Sequence, residues 1–283
     1  MNKEEFLIAL QAETASFSSA VATEEGQWII KGFIDVYKKI YTISIDTKVV
    51  SKVLELLLFP LFKKFADQHH LRLELSPLQN FYPDITLISE SSGEKYAVDI
   101  KSTYRVDKTK ASGMTLGAFT GYFRNRTSNK NTLYPYGQYV GHYVVGVIYS
   151  QSEGVIDERK QYKIEDLNTI PSVIRDFQFF AQPKYKLAST SPGSGNTKNI
   201  GSVNKIQALV NGEGPFAQLG EEIYDDYWMF YLTKDMAAAL SIPRPYINLK
   251  TYLEYKSKAI DVLKAHEEEI KHLVEDETAE EEG

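Results

Sequence analysis

Two short segments hold the residues whose types and spacing could do chemistry: Pro83-Asp84-Ile85-Thr86-Leu87 and Tyr96-Ala97-Val98-Asp99-Ile100-Lys101. Side chains alternate between the faces of a strand, so Asp99 and Lys101 point the same way, roughly 7 Å apart. If the intervening ESSGE is a tight turn centred between Ser91 and Ser92, Asp84 falls opposite Asp99, Ile85 opposite Val98 and Thr86 opposite Ala97. That register gathers Ile85, Leu87, Tyr96, Val98 and Ile100 on the core side and leaves Asp84, Asp99 and Lys101 on the other. The hydrophobic pattern selects the register, because a slip of one residue would exchange the faces. Directly opposed aspartates repel. A hard divalent cation such as Mg²⁺ resolves the conflict, since it takes one or two carboxylates and keeps several waters. Such an ion polarises a phosphoryl oxygen and helps generate hydroxide. A lysine beside it can orient the attacking water or neutralise charge on phosphorus. The trio suits phosphodiester hydrolysis. A surface hairpin with an ordinary Asp99–Lys101 ion pair satisfies the same short motif.

The elements that must position these residues are an α/β set. A helix is expected from the Asp46-Thr47 cap through VVSKVLELLLF, with Val49, Val50, Val53, Leu54, Leu57 and Leu58 as its apolar stripe. Pro60 should end or kink it before LFKKFADQHH resumes as helix. QYVGHYVVGVIYS reads as helix leading into a buried strand, and Ser, Gly, Pro, Asn and Thr mark residues 188–203 as a loop. EEIYDDYWMFYL and TYLEYKSKAIDVLKAHEEEIKHLVE read as helices. Strands enclosed by helices predict one domain over residues 1–265, built on a mixed central sheet, followed by an acidic tail at 266–283.

Bulk properties set the limits. With 43% hydrophobic and 25% charged residues the chain can bury a real core, and no apolar run reaches the roughly 20 residues of a membrane span. The N-terminus carries acids where a signal peptide carries bases, and there is no cysteine, so a cytoplasmic location is the expectation. The net charge of −6 is a matter of distribution: residues 266–283 hold nine acids against Lys271, and without them the chain is slightly positive. Lys101–Lys130 carries seven Lys/Arg against Asp107, and Pro183–Lys205 four Lys and no acid. Such stripes attract phosphates or are simply solvated surface. The tail itself reads as an aid to solubility.

Blocks along the chain resemble the type II restriction endonucleases of the PD-(D/E)xK fold, and more narrowly the EcoRV-type family. They are DTKV at 46–49, QNFYPDITL at 79–87, AVDIKSTY at 97–104, TLGAFTGYFRN from 115, YPYGQYVGHYVVG to 146, GSGNTKNIGS at 193–202 and DDYW at 225–228. Their order and separations follow the family over roughly residues 44–231, and the GSGNT loop is uncommon. The resemblance implies a mixed sheet flanked by helices and an endonuclease using Mg²⁺. It implies that Asp84 and Asp99 bind metal, that Lys101 is the catalytic lysine, and that Glu55 is an auxiliary metal ligand. Without the resemblance, Glu55 is a helix-face glutamate paired with Lys52. It further implies that Gln79 and Asn80 approach the minor groove, and that Gly193, Ser194, Gly195, Asn196 and Thr197 read the major groove, with Thr47 and Thr103 also touching DNA. Glycines let backbone groups reach base edges, asparagine can pair with adenine, and a threonine methyl can touch thymine.

The implied target is GATATC, cut bluntly at its centre, where a flexible TA step assists readout by bending. A palindrome implies a homodimer, with interface segments near 28–42 and 158–170, and a DNA methyltransferase as partner in the same system. Departures are residues 11–43 and 153–182, which align poorly, Lys198 in place of a neutral residue, and the region beyond about 232. The competing readings are a structure-selective or repair nuclease of the same fold, disfavoured by a base-reading loop, and a DNA-binding protein that has lost cleavage, disfavoured by the intact acidic pair and lysine.

Overall fold

The computed structural model describes residues 1–78, 81–152, 159–193 and 198–257. The chain begins with α1 (Lys3–Thr14) and α2 (Phe17–Val21), then β1 (Gly32–Ile34) and β2 (Lys39–Thr42). The long helix α3 (Thr47–Gln68) leads into β3 (Leu71–Leu75), β4 (Ile85–Ser89), β5 (Lys95–Tyr104) and β6 (Thr115–Ala118). After β7 (Tyr139–Gln151) come β8 (Gln161–Lys163), β9 (Ile174–Pro183), α4 (Lys184–Leu187), β10 (Ala188–Pro192) and β11 (Asn199–Ser202). Helices α5 (Ile206–Asn211), α6 (Glu221–Met229), α7 (Lys234–Ala239) and α8 (Leu249–Ser257) complete it. The central sheet has the order β3-β4-β5-β7-β9, with β5 and β7 parallel and the other pairs antiparallel. This is the mixed α/β sheet expected from the sequence.

Both faces of the sheet are covered. On one, α1, α2 and α3 pack Phe6, Phe17, Leu54 and Phe62 against Ile85, Leu87, Tyr96, Val98, Val145 and Val147. On the other, Ala97, Val144 and Ile148 meet Phe119, Leu187 and the aromatic helix α6 with Tyr224, Tyr227 and Trp228. Double coverage explains the main difference from expectation at QYVGHYVVGVIYS, which is one strand from Tyr139 to Gln151 with no helical half. A strand buried on both faces loses its polar/apolar alternation and reads as a continuous apolar run.

Helix α3 starts where expected, with Asp46 Oδ1 accepting from the Lys48 and Val49 amides at 2.8 and 3.3 Å. It then runs through Pro60 without ending. Proline inside a helix costs about 3 kcal/mol. Burying Leu58, Phe62 and Phe65, which flank it, stabilises the helix by roughly 1.5–3 kcal/mol each, and Pro60 itself faces solvent. The N-terminal helices, which precede the first expected one, are also new. Asn2 caps α1 reciprocally with Glu5: its side chain accepts from the Glu5 amide at 2.9 Å, and Glu5 accepts from the Asn2 amide at 2.8 Å.

The stretch 188–203, expected as loop, supplies β10 and β11, which form a second sheet of order β10-β11-β6. Its Ser/Gly-rich composition hid strands whose inward residues, Ala188 and Ile200, are fully buried. A third sheet, β1-β2-β8, joins the two segments expected at an interface, 28–42 and the described part of 158–170. The tail at 266–283 lies outside the described residues. No helix among the described residues is long and apolar enough to cross a membrane.

Candidate active site

Strands β4 and β5 pair with Ile85 opposite Val98, Thr86 opposite Ala97 and Leu87 opposite Tyr96, the register read from the hydrophobic pattern. Asp84, one residue before β4, therefore stands across from Asp99. Its amide donates to Asp99 Oδ1 at 3.3 Å, and its own Oδ2 accepts from the Ile100 amide at 2.7 Å. Lys101 Nζ lies 3.5 Å from Asp84 Oδ2 and 3.2 Å from Asp99 Oδ2, bridging the two carboxylates. Asp99 and Lys101 are also held from behind by β7, in register with Val144 and Gly146. Gly146 is required there: a Cβ would sit 2.0 Å from Cζ of the buried Phe180 ring.

This is not the open surface of a solvated hairpin. The Asp99 side chain is 5% exposed, Lys101 24% and Asp84 28%. Burial pushes the Asp84 carboxyl above the usual range; Lys101 opposes this and Asp99 reinforces it. Burial alone would lower the Lys101 ammonium, but Asp84 and Asp99 outweigh it and hold Lys101 above the ordinary lysine range, hence charged. The donor set for a metal is two hard carboxylates, Asp84 lining a cavity and Asp99 almost fully buried beside it, and among the described residues no three acidic, thiol or imidazole groups converge as a metal cluster. Two carboxylates with water completing the shell fit Mg²⁺ rather than zinc.

Glu55 is on the α3 face beside the pair, its carboxylate 2.7 Å from Lys52 Nζ. It lines two adjoining cavities. One, of about 570 Å³, contains Asp84, Ile100 and the exposed apolar side chains Leu56 and Leu78. The other, of about 540 Å³, contains Thr47, Ser51, Lys101 and Thr115. Thr47 thus opens onto the site. Thr103 is 3% exposed, and its hydroxyl donates to the Ser112 carbonyl at 2.6 Å, tying β5 to the segment before β6. Gly193 lines a cavity of about 700 Å³ with Ser112, Thr115 and Lys205. A Cβ on Gly193 would meet Thr115 Cγ2 at 2.7 Å. Gln79, Asn80, Ser194, Gly195, Asn196 and Thr197 lie outside the described residues.

The basic stretches divide in the fold. Arg124 is buried, donating to the Tyr231 carbonyl at 2.5 Å, and Arg126 pairs with Asp225 at 2.8 Å, whereas Lys108, Lys110 and Lys205 are exposed. Lys184, read as part of a phosphate-attracting stripe, is 1% exposed. Its Nζ lies 4.8 Å from the centre of the Tyr82 ring and 5.6 Å from that of Tyr136. Burial pushes it down to about 8, against the pull of Asp99. Tyr82 in turn shares a 2.7 Å hydrogen bond with His142 Nδ1, and His142 stacks on Tyr136 at 3.8 Å. Nothing in the sequence marked this cluster, apart from the aromatic residues around Pro83 and Pro135.

A mixed sheet with an aspartate before one strand, and an aspartate and lysine alternating on the next, is the arrangement of a PD-(D/E)xK nuclease fold. Residues 24–257 match the family described as restriction endonuclease EcoRV, extending past residue 232, where the motif resemblance fades. The type II restriction enzyme EcoRV of Escherichia coli is 37% identical over 215 residues, covering 75% of this chain and 86% of that protein. The chain belongs to the EcoRV restriction endonuclease family, whose substrate is DNA.

Proposed function

We propose that this enzyme hydrolyses double-stranded DNA at GATATC, leaving blunt ends, with Mg²⁺ held by Asp84 and Asp99 and assisted by Glu55. The observation that carries the reading is the β4–β5 register, which sets both carboxylates within reach of one ammonium. When bound, the divalent ion supplies Lewis acidity toward the phosphoryl oxygen. Asp84 and Asp99 bind and orient it. Lys101, kept charged by its neighbours, orients the attacking water and offsets charge on the pentacoordinate phosphorus. The ridge at Glu55, between the Asp84 and Lys101 cavities, suits an auxiliary ligand reached once Lys52 releases it. Thr47 and Gly193 border the groove, and Gln79, Asn80 and Ser194–Thr197 are proposed as base and backbone contacts.

The active form is proposed to be a homodimer cutting one strand per subunit. The β1-β2-β8 sheet supports it: Phe33, Ile34, Val36 and Tyr37 are exposed at 53%, 60%, 90% and 82%, beside exposed Ile164 and Leu167. Exposed apolar side chains gathered on one small sheet and the segment after it are of the kind that marks an interface. Residues 1–265 are taken as one domain, working in the cytoplasm beside a DNA methyltransferase that protects host sites.

A plasmid bearing GATATC, incubated with the protein and Mg²⁺, should give discrete blunt fragments, and Asp99→Ala should abolish cleavage while leaving the fold intact. Nicks at irregular DNA would indicate a structure-selective nuclease, a gel shift without product would indicate a binding protein, and a fully active D99A would overturn the catalytic assignment.

A further inference from the structure

The strand that leads into Gly193 is held by a side chain from outside its own sheet. β10 is the edge strand of the order β10-β11-β6, so no strand of that sheet pairs with its outer side. Its pairing with β11 is interrupted as well. Ala188 faces Ser202 and Pro192 faces Ile200, so Ser189, Thr190 and Ser191 bulge over the single position of Gly201. A Cβ on Gly201 would meet the Ser191 carbonyl oxygen at 2.8 Å, so the bulge lies close against β11. The two feet of the loop that follows are fixed by different elements. At the far foot, the Phe119 amide, just after β6, donates to the Lys198 carbonyl at 2.9 Å. At the near foot, the Tyr227 hydroxyl of α6 donates to the Thr190 carbonyl at 2.7 Å.

Tyr227 is buried, and its ring is fixed among Phe216, Trp228, Tyr246 and Tyr252. Helix α6 is anchored on either side of it: Asp225 pairs with Arg126 at 2.8 Å, and Asp226 accepts from the Tyr252 hydroxyl at 2.6 Å. The phenol is thus presented from a fixed base to the irregular stretch of β10. A phenylalanine would fill the same aromatic space, so packing alone does not require the oxygen. Resting on the reading of residues 193–197 as base-reading, we propose that Tyr227 is a positioning residue for sequence recognition, its hydroxyl fixing the bulge of β10 and with it the entry of the loop into the major groove. Hydrogen bonds to base edges weaken steeply with misplacement, whereas phosphate contacts made from other elements carry no sequence information and persist when the loop drifts. Tyr227 therefore contributes to discrimination between sites rather than to DNA binding at large.

The test compares Tyr227→Phe with Tyr246→Phe in the full-length protein. Tyr246 is a matched control, because its buried hydroxyl donates to the Tyr227 carbonyl at 2.6 Å, a bond in the same aromatic cluster that does not reach β10. kcat/KM is measured with Mg²⁺ on duplexes carrying GATATC and on duplexes with one base pair of that site changed. Y227F should lower the ratio of intact to altered site about tenfold, through loss at GATATC. Y246F should keep the wild-type ratio while its Tm falls about as far as that of Y227F. If Y227F leaves the ratio unchanged, with all rates intact or falling together, the hydroxyl is only structural and the proposal is overturned. If Y246F lowers the ratio as far as Y227F does, loosening of the aromatic cluster is the cause and the proposal is again overturned. If the wild-type enzyme cuts DNA with no preference among these sites, the base-reading role of residues 193–197 fails and this proposal with it.

Discussion

Replacing Lys101 by methionine removes the one cation among the described residues that touches both carboxylates. The contacts are 3.2 Å to Asp99 and 3.5 Å to Asp84, and the three side chains are at most 28% exposed. At an effective dielectric of about 20, each contact is worth about 5 kcal/mol before desolvation is counted. Much of that is offset by the cost of burying the ions, and removing one partner of a buried pair typically costs about 3–5 kcal/mol. K101M should therefore lose about 3 kcal/mol of stability near neutral pH, in chelator, besides losing cleavage. The sign of the pH dependence is determined. Burial already raises Asp84, Lys101 is the chief opposing influence, and its removal raises the folded carboxyl further. A carboxyl raised above its unfolded value of about 3.9 destabilises at high pH, and the loss is recovered as pH falls through the folded value. Urea unfolding of wild type and K101M across the acid-to-neutral range, with and without Mn²⁺, measures this. The gap should close both on acidification and on adding the cation. A K101M protein as stable as wild type in chelator, with the same pH slope, would refute the bridging role of the lysine.

Gly146→Ala should cost about 1–3 kcal/mol in thermal unfolding, because the new Cβ meets the buried Phe180 ring at 2.0 Å, and the strand shift at Lys101's neighbour should lower kcat as well. Burial pushes His142 well below the ordinary histidine range while Tyr82 holds its Nδ1, so the folded protein should lose stability as pH falls below about 6.5, the unfolded value. His142→Asn should flatten that slope in a pH series of melting temperatures; an unchanged slope would exclude His142 as its source. Tyr37→Asp combined with Val36→Asp places charges at 82% and 90% exposed positions of the β1-β2-β8 patch. Light scattering should then find a monomer, and a dimer as stable as wild type would locate the interface elsewhere.

The pairing of Asp84 with Asp99 was legible in the chain because one face of a two-stranded hairpin must be apolar, and only one register achieves this for Ile85, Leu87, Tyr96 and Val98. The start of α3 was legible from Asp46, since capping is a local interaction. By contrast, the run from Tyr139 to Gln151 is strand throughout because helices cover both faces of the sheet, and no local pattern records what lies above and below a segment. The same limit hid the burial of Thr103, whose hydroxyl is tied to a carbonyl nine residues away, and the continuity of α3 through Pro60, which depends on the burial of Phe62 and Phe65. Lys184 shows the difference most directly. In the chain it is one of four lysines in a basic stretch; in the fold it is a buried charge between Tyr82 and Tyr136. Sequence determines residue chemistry and local periodicity, but solvation and the field of distant charges arise only once the chain has closed around them.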